Sequence, residues 1–249
     1  LLLATFFITL ISYSYLEKQQ GSKEEFYLLL LTGTLGASVL AISSHFISFF
    51  LGLELLSVSI YGLTGYIKNS ENSLEAAIKY LMIAGVSSAF LLLGIAFLYA
   101  QTGTLEFNTL SLRFVEAGGI QPLALTGFAL MIVGIGFKLA VVPFHLWTPD
   151  VYEGAPAITS AFIASVSKAG VAALLVRLFL TLDGSYLSAI VLLFSTIAVL
   201  SILAGNLLAL RQQNVKRILA YSSIAHIGYV LVAVIANGTA HYRLKIDTP

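Results

Sequence analysis

Three ionisable residues, Glu54, Lys138 and Lys168, stand near the middle of long apolar runs. A charge at the centre of a membrane-spanning helix costs roughly 2.5 to 3.5 kcal/mol on insertion scales, so such residues persist mostly where they face a bundle interior or a watery cavity and pair with one another. The chemistry they suit is an ion or proton path. A lysine can also snorkel its ammonium to the interface, but only from near a helix end, and Lys138 and Lys168 are too central for that. Lys79 is different. It lies about one turn inside its run and four residues after Glu75, so an i,i+4 pair or snorkelling accounts for it as well as function does.

Lys138 has unusual neighbours, because Gly136-Phe-Lys-Leu-Ala-Val-Val-Pro-Phe-His-Leu-Trp147 puts Pro143 five residues after it. Proline has no N–H, so the Leu139 carbonyl loses its helical donor and a kink or break is predicted there. Broken helices at membrane depth line cavities, and transporters build ion sites at them. His145, just past the break, suits a proton relay near neutral pH or an interfacial anchor beside Trp147. His226 suits a relay or a satisfied core position equally.

At about 1.5 Å of rise per residue, Lys138 and Lys168 share a depth, and Glu54 is offset from them by roughly 8 Å along the membrane normal. Two extended side chains or a bridging water would close that gap. Two lysines at one depth oppose each other's charge while Glu54 supports its nearer partner. One ammonium is then stable and the other easily emptied. Moving the Glu54 charge toward or away from Lys138 would load or discharge Lys168, the three titrating as a coupled set.

The elements that must hold these groups follow from composition. The chain has 249 residues, 58% hydrophobic and only 10% charged, with a mean hydropathy of +0.94, whereas soluble domains carry about 25% charged residues. Runs long enough to cross about 30 Å of hydrocarbon lie at 26–44, 46–67, 74–100, 123–147, 158–182 and 186–210, with flanking runs at 1–16 and 218–236. An outer-membrane barrel would instead show alternating segments of roughly ten residues. The predicted fold is an all-α, polytopic transmembrane bundle of about eight spans. Residues 1–16 lack a basic n-region and a small-residue cleavage site, and so read as a truncated transmembrane helix and not a signal peptide. If the spans alternate, one side receives Lys18, Lys23, Lys68, Arg211, Lys216 and Arg217 and the other only Arg113 and Arg177. The first side is then cytoplasmic or its organellar equivalent. A formal net charge of +1 offers no basic field for nucleic acid, and zero cysteines exclude thiolate metal sites, iron–sulfur clusters and disulfides from this chain.

Four segments carry a resemblance: Phe50-Leu-Gly-Leu-Glu-Leu-Leu-Ser57, Ser73-Leu-Glu-Ala-Ala-Ile-Lys-Tyr80, Gly136-Phe-Lys-Leu onward through Val142-Pro-Phe-His-Leu-Trp-Thr-Pro-Asp-Val-Tyr-Glu-Gly-Ala-Pro156, and Asn214-Val-Lys-Arg-Ile-Leu-Ala-Tyr-Ser-Ser-Ile-Ala-His-Ile-Gly228. Long, in order and in register, they resemble the antiporter-like membrane subunits of proton-pumping NADH:quinone oxidoreductase, complex I. The Thr-Pro-Asp-Val-Tyr-Glu-Gly-Ala-Pro stretch and the lysine at 168 look most like subunit N, chain 2. The resemblance implies inverted five-helix repeats with a broken helix near Lys138 and Pro143. The implied divisions are a truncated helix and cytoplasmic loop at 1–25, a first repeat at 26–182, the start of a second at 183–240 and a polar tail at 241–249 that reads as the edge of a cut chain. The resemblance also implies that Glu54 pairs with Lys138, that Lys168 is the central relay lysine, and that Lys79, Lys216 and His226 match positions of lesser role. It further implies a respiratory-chain translocase that carries no cofactor of its own, with FMN and iron–sulfur clusters on partner subunits, NADH and quinone as substrates of the whole complex, and other membrane subunits as lateral partners. The membrane implied is a bacterial plasma membrane or that of an energy-transducing organelle. The alternatives are a cation/proton antiporter subunit and a structural spacer whose charges are simple ion pairs.

Overall fold

The computed structural model describes residues 1–17, 23–67, 70–117, 119–181 and 187–247, with the side chains at 181, 187–190 and 237–247 set aside. Lys18 and Lys68, two of the basic residues expected on the cytoplasmic side, lie outside the described residues. Among the described residues, eleven α-helices run in the order α1 Leu2–Leu16, α2 Glu24–Ile42, α3 Phe46–Thr64, α4 Glu71–Thr102, α5 Phe107–Glu116, α6 Pro122–Leu139, α7 Trp147–Gly154, α8 Ala157–Phe162, α9 Lys168–Thr181, α10 Leu187–Ala209 and α11 Val215–Asp247, with a π-helical turn, Ile163–Ser167, joining α8 to α9. Among the described residues, seven spans are long and apolar enough to cross a membrane, α8 and α9 counting as one. The eighth expected span, α1, has 15 residues, about 22 Å of helix, short of the usual crossing length. The chain is a multi-pass membrane protein. Alternation of the spans puts Lys23, Arg211, Lys216 and Arg217 at one end and Arg113 and Arg177 at the other. The polar residues at 241–247 continue α11 as helix.

Local chemistry sets the ends of these helices. Ser70 caps α4 by accepting from the Ser73 N–H at 3.3 Å, and Glu71 in the first turn suits the positive end of the helix. Gly103, at φ 65°, closes the same helix in the left-handed conformation that glycine enters without strain. Pro122 opens α6, where its missing N–H costs nothing. The spans pack closely where side chains vanish. A Cβ on Gly94 of α4 would stand 2.6 Å from the Gly127 carbonyl of α6, so two glycines facing each other let the backbones touch.

The predicted break is present, with α6 ending at Leu139, four residues before Pro143. Ala140 adopts φ 59°, ψ 41°, its N–H bonding to Phe137 O and the Val141 N–H to Gly136 O, both at 3.0 Å. That is a Schellman stop built on alanine, and it replaces the expected single span at 123–147 with α6, a non-helical link at 140–146 and the separate α7. Proline lies in the link behind a cis Val142–Pro143 bond. The link is tied down by Val142 N–H donating to Ser201 Oγ of α10 at 3.0 Å and by the Trp147 indole donating to Phe137 O at 3.1 Å.

Candidate functional site

Both central lysines turn inward. Lys138 is 4% exposed and Lys168 2%, which removes snorkelling and makes their partners decisive. Lys138 extends from the last turn of α6 and donates to Ser57 Oγ on α3 at 2.5 Å. Ser57 in turn donates to the Leu53 carbonyl one turn back at 2.5 Å. The ammonium lies 5.3 Å from the centre of the Tyr80 ring on α4 and 5.7 Å from that of Phe137, distances at which ring faces attract a cation. Trp147 packs against both rings, at 4.9 Å and 5.0 Å between centroids, and seals the pocket.

Glu54 is half-buried on α3, three residues before Ser57 and therefore on the same helix face. Its carboxylate accepts from Ser88 Oγ of α4 at 2.5 Å. The expected contact with Lys138 is absent as an ion pair: among the described residues no salt bridge within 4.0 Å joins them. Ser57 occupies the position on α3 that the ammonium reaches instead.

Lys168 begins α9 directly after the π-helical turn; turns of this kind occur frequently at functional sites. It donates to Ser223 Oγ of α11 at 2.7 Å and lies 5.9 Å from the Tyr152 ring of α7. Ser223 also bonds Ala220 O at 2.8 Å and meets the Tyr152 hydroxyl at 3.4 Å. Among the described residues Lys168 has no carboxylate partner. The two lysine sites are linked through α7, whose Trp147 closes the first and whose Tyr152 covers the second.

The lesser positions separate from this interior. Lys79 is surface-exposed, 2.7 Å from Glu75 and 3.2 Å from Asp150. Arg217 of α11 grips Asp150 at 3.1 Å and Glu153 at 2.6 Å, Asn214 adds a 2.7 Å bond to Glu153, and Lys216 donates to the Glu153 and Ala155 carbonyls at 3.1 and 2.8 Å. Lys79 and Lys216 thus clamp α7 between α4 and α11 and do not reach the buried lysines. His145 is buried in the link, and its Nδ1 lacks a protein hydrogen-bond partner. His226 is exposed on α11 with Tyr229 as its ring neighbour at 6.4 Å, away from Lys168. Sequence reasoning did not single out Ser57, Ser88, Tyr80, Tyr152 or Ser223. For Ser57 a signal existed, since three residues on a helix return to the face of Glu54. For Ser223 none did, because its partner is 55 residues away.

Among the described residues no group of three or more metal-ligating side chains occurs. A family model described as NADH:quinone oxidoreductase/Mrp antiporter, transmembrane, matches residues 43–246. A chain in the structure of respiratory complex I from Thermus thermophilus with bound aureothin is 36% identical, with a TM-score of 0.76, over 93% of this chain and 50% of that one. A chain in the structure of the membrane-bound sulfane sulfur reductase, an archaeal respiratory membrane complex, is 31% identical, with a TM-score of 0.74, over 86% and 45%. The chain spans about half the length of these relatives.

Proposed function

The chain belongs to the NADH:quinone oxidoreductase/Mrp antiporter transmembrane family, and from that premise we propose that it is the proton-translocating subunit N of a complex I. Protons move along Glu54, Lys138 and Lys168, driven by redox energy released in other subunits that carry FMN and iron–sulfur clusters and act on NADH and quinone. The observation that carries this reading is the burial of two lysines inside the bundle, each bonded to a neutral serine on a neighbouring helix. A lysine needed only for stability would be matched to a carboxylate, because an unpaired buried ammonium is costly. A lysine that must gain and lose a proton suits a neutral partner.

The energy is of the right size. Driving one charge against 100 mV takes about 2.3 kcal/mol, and a shift of one pKa unit in a relay group supplies about 1.4 kcal/mol. A few coupled shifts suffice. Lys138→Ala, in the complex that contains this chain and in sealed vesicles, is expected to abolish proton translocation while NADH oxidation by an artificial acceptor continues. Normal translocation in that variant overturns the relay.

The family description also names Mrp antiporters, which favours cation/proton exchange as the second reading. Sodium-dependent proton movement in vesicles without any quinone reduction selects it. Co-purification with flavin and iron–sulfur subunits selects the first. The membrane proposed is a bacterial plasma membrane or that of an energy-transducing organelle.

A further inference from the structure

Both buried lysines meet the same device on a neighbouring helix. Ser57 accepts from Lys138 and donates its hydroxyl hydrogen to Leu53 O; Ser223 accepts from Lys168 and donates to Ala220 O. A serine hydroxyl has one hydrogen and two lone pairs, whereas an ionised carboxylate only accepts. With its hydrogen parked on its own helix, the serine oxygen faces the ammonium as a pure acceptor. The Leu53 carbonyl keeps the backbone N–H of Ser57 within the helix, so it loses little when the hydroxyl turns away.

We propose that Ser57 is a positioning residue that holds Lys138 in both its charged and its neutral form, swinging its hydroxyl hydrogen from the Leu53 carbonyl to the lysine nitrogen when the proton departs. This rests on the relay reading of Lys138. The proton leaves the lysine for its relay partner, Ser57 keeps its own hydrogen, and no charge passes through the hydroxyl. The ionisable groups that face this pair are Glu54 and Tyr61 of α3 and Tyr80 of α4, Tyr61 being within reach of the Ser57 hydroxyl, and the ammonium and the serine oxygen bond directly at 2.5 Å. Glu54, one turn away and bonded to Ser88, biases the lysine by its field without gripping it. The position is therefore fixed while the charge remains free to change.

The test uses the complex that contains this chain, in sealed vesicles, with protons translocated per electron followed across pH. Ser57→Ala is expected to lower that ratio about tenfold, since a hydrogen bond to a charged group is worth about one power of ten or more. It should also move the alkaline limb of the profile to lower pH, because the ammonium loses its acceptor. Ser57→Thr, which keeps the hydroxyl, should restore both. Ser59→Ala, on the same helix but bonded to Leu55 O and Thr32, should move neither. A wild-type ratio and profile in Ser57→Ala, or a loss that threonine does not rescue, overturns the proposal. Should the alanine variant fail to assemble, Ser57→Cys keeps the volume with a weaker bond, and an unchanged profile there is equally fatal. Loss of translocation in Lys138→Ala beside an unmoved Ser57→Ala removes the serine's role alone; normal translocation in Lys138→Ala removes the relay itself.

Discussion

Lys138 and Lys168 are equally buried but differently supported. Lys138 has a carboxylate one turn away on α3, two ring faces within 6 Å and a tryptophan lid. Lys168 has the Ser223 hydroxyl, itself in reach of the Tyr152 hydroxyl, and one ring face, with no carboxylate among the described residues. The first site can stabilise a charge through Glu54. The second has only neutral dipoles to do so, and is the easier one to empty. Two similar residues thus acquire unequal surroundings from their neighbours alone, and in the proposed relay that inequality would set a direction.

The largest way to break this comparison is Lys168→Arg. A guanidinium fits a cation site but does not release its proton, so translocation should fall about a hundredfold, as expected when a proton-transfer group is lost. A working arginine variant would mean that Lys168 serves by charge alone. Next comes Glu54→Gln, which removes the one carboxylate near Lys138 among the described residues and should cost about tenfold in the same vesicle assay, in line with a weakened charge interaction of roughly 1.4 kcal/mol. An equal effect of that variant on the Lys168 site would erase the asymmetry. A third change sharpens the geometry and not the chemistry. Ala140→Gly relieves a left-handed alanine that costs about 1–2 kcal/mol, partly offset by the added freedom of the unfolded chain, so thermal unfolding in mild detergent should report a gain of up to about 1 kcal/mol. Smallest is Arg217→Gln. The pairs it breaks are about a third exposed on each side, and the loss should stay below about 1 kcal/mol and shrink as salt is raised.

The spans, the buried charges and the broken helix were legible in sequence because each is a violation of a local rule: a charge in hydrocarbon, or a proline within a helical run. What was not legible is where the violation is absorbed. Proline chemistry points to the Leu139 carbonyl, and α6 does end at Leu139, but the left-handed Ala140 that closes it and the bond that ties the link to Ser201 could not be read from the sequence. That bond spans 59 residues, and no local pattern announces it. That Glu54 and Lys138 form no direct ion pair among the described residues has a related reason. Depth arithmetic places two side chains along the normal but says nothing of which way each leans, and the ammonium met the serine first. Lys79 was open between snorkelling, an i,i+4 pair and function, and the fold holds the pair, with Asp150 of α7 added from beyond the break. His226 fell outside the interior because helical phase, not composition, decides which face it shares.

The stop at Ala140 has an electrical consequence. Because α6 ends within a turn of Lys138, that lysine lies at the carbonyl pole of an 18-residue stack of aligned peptide units, which carries about half a negative elementary charge. Such a pole favours a nearby cation by about 0.3 to 2 kcal/mol. Lys168 lies well inside the run of turns from Ala157 to Thr181, after the π-helical turn, so its own span offers it no such pole.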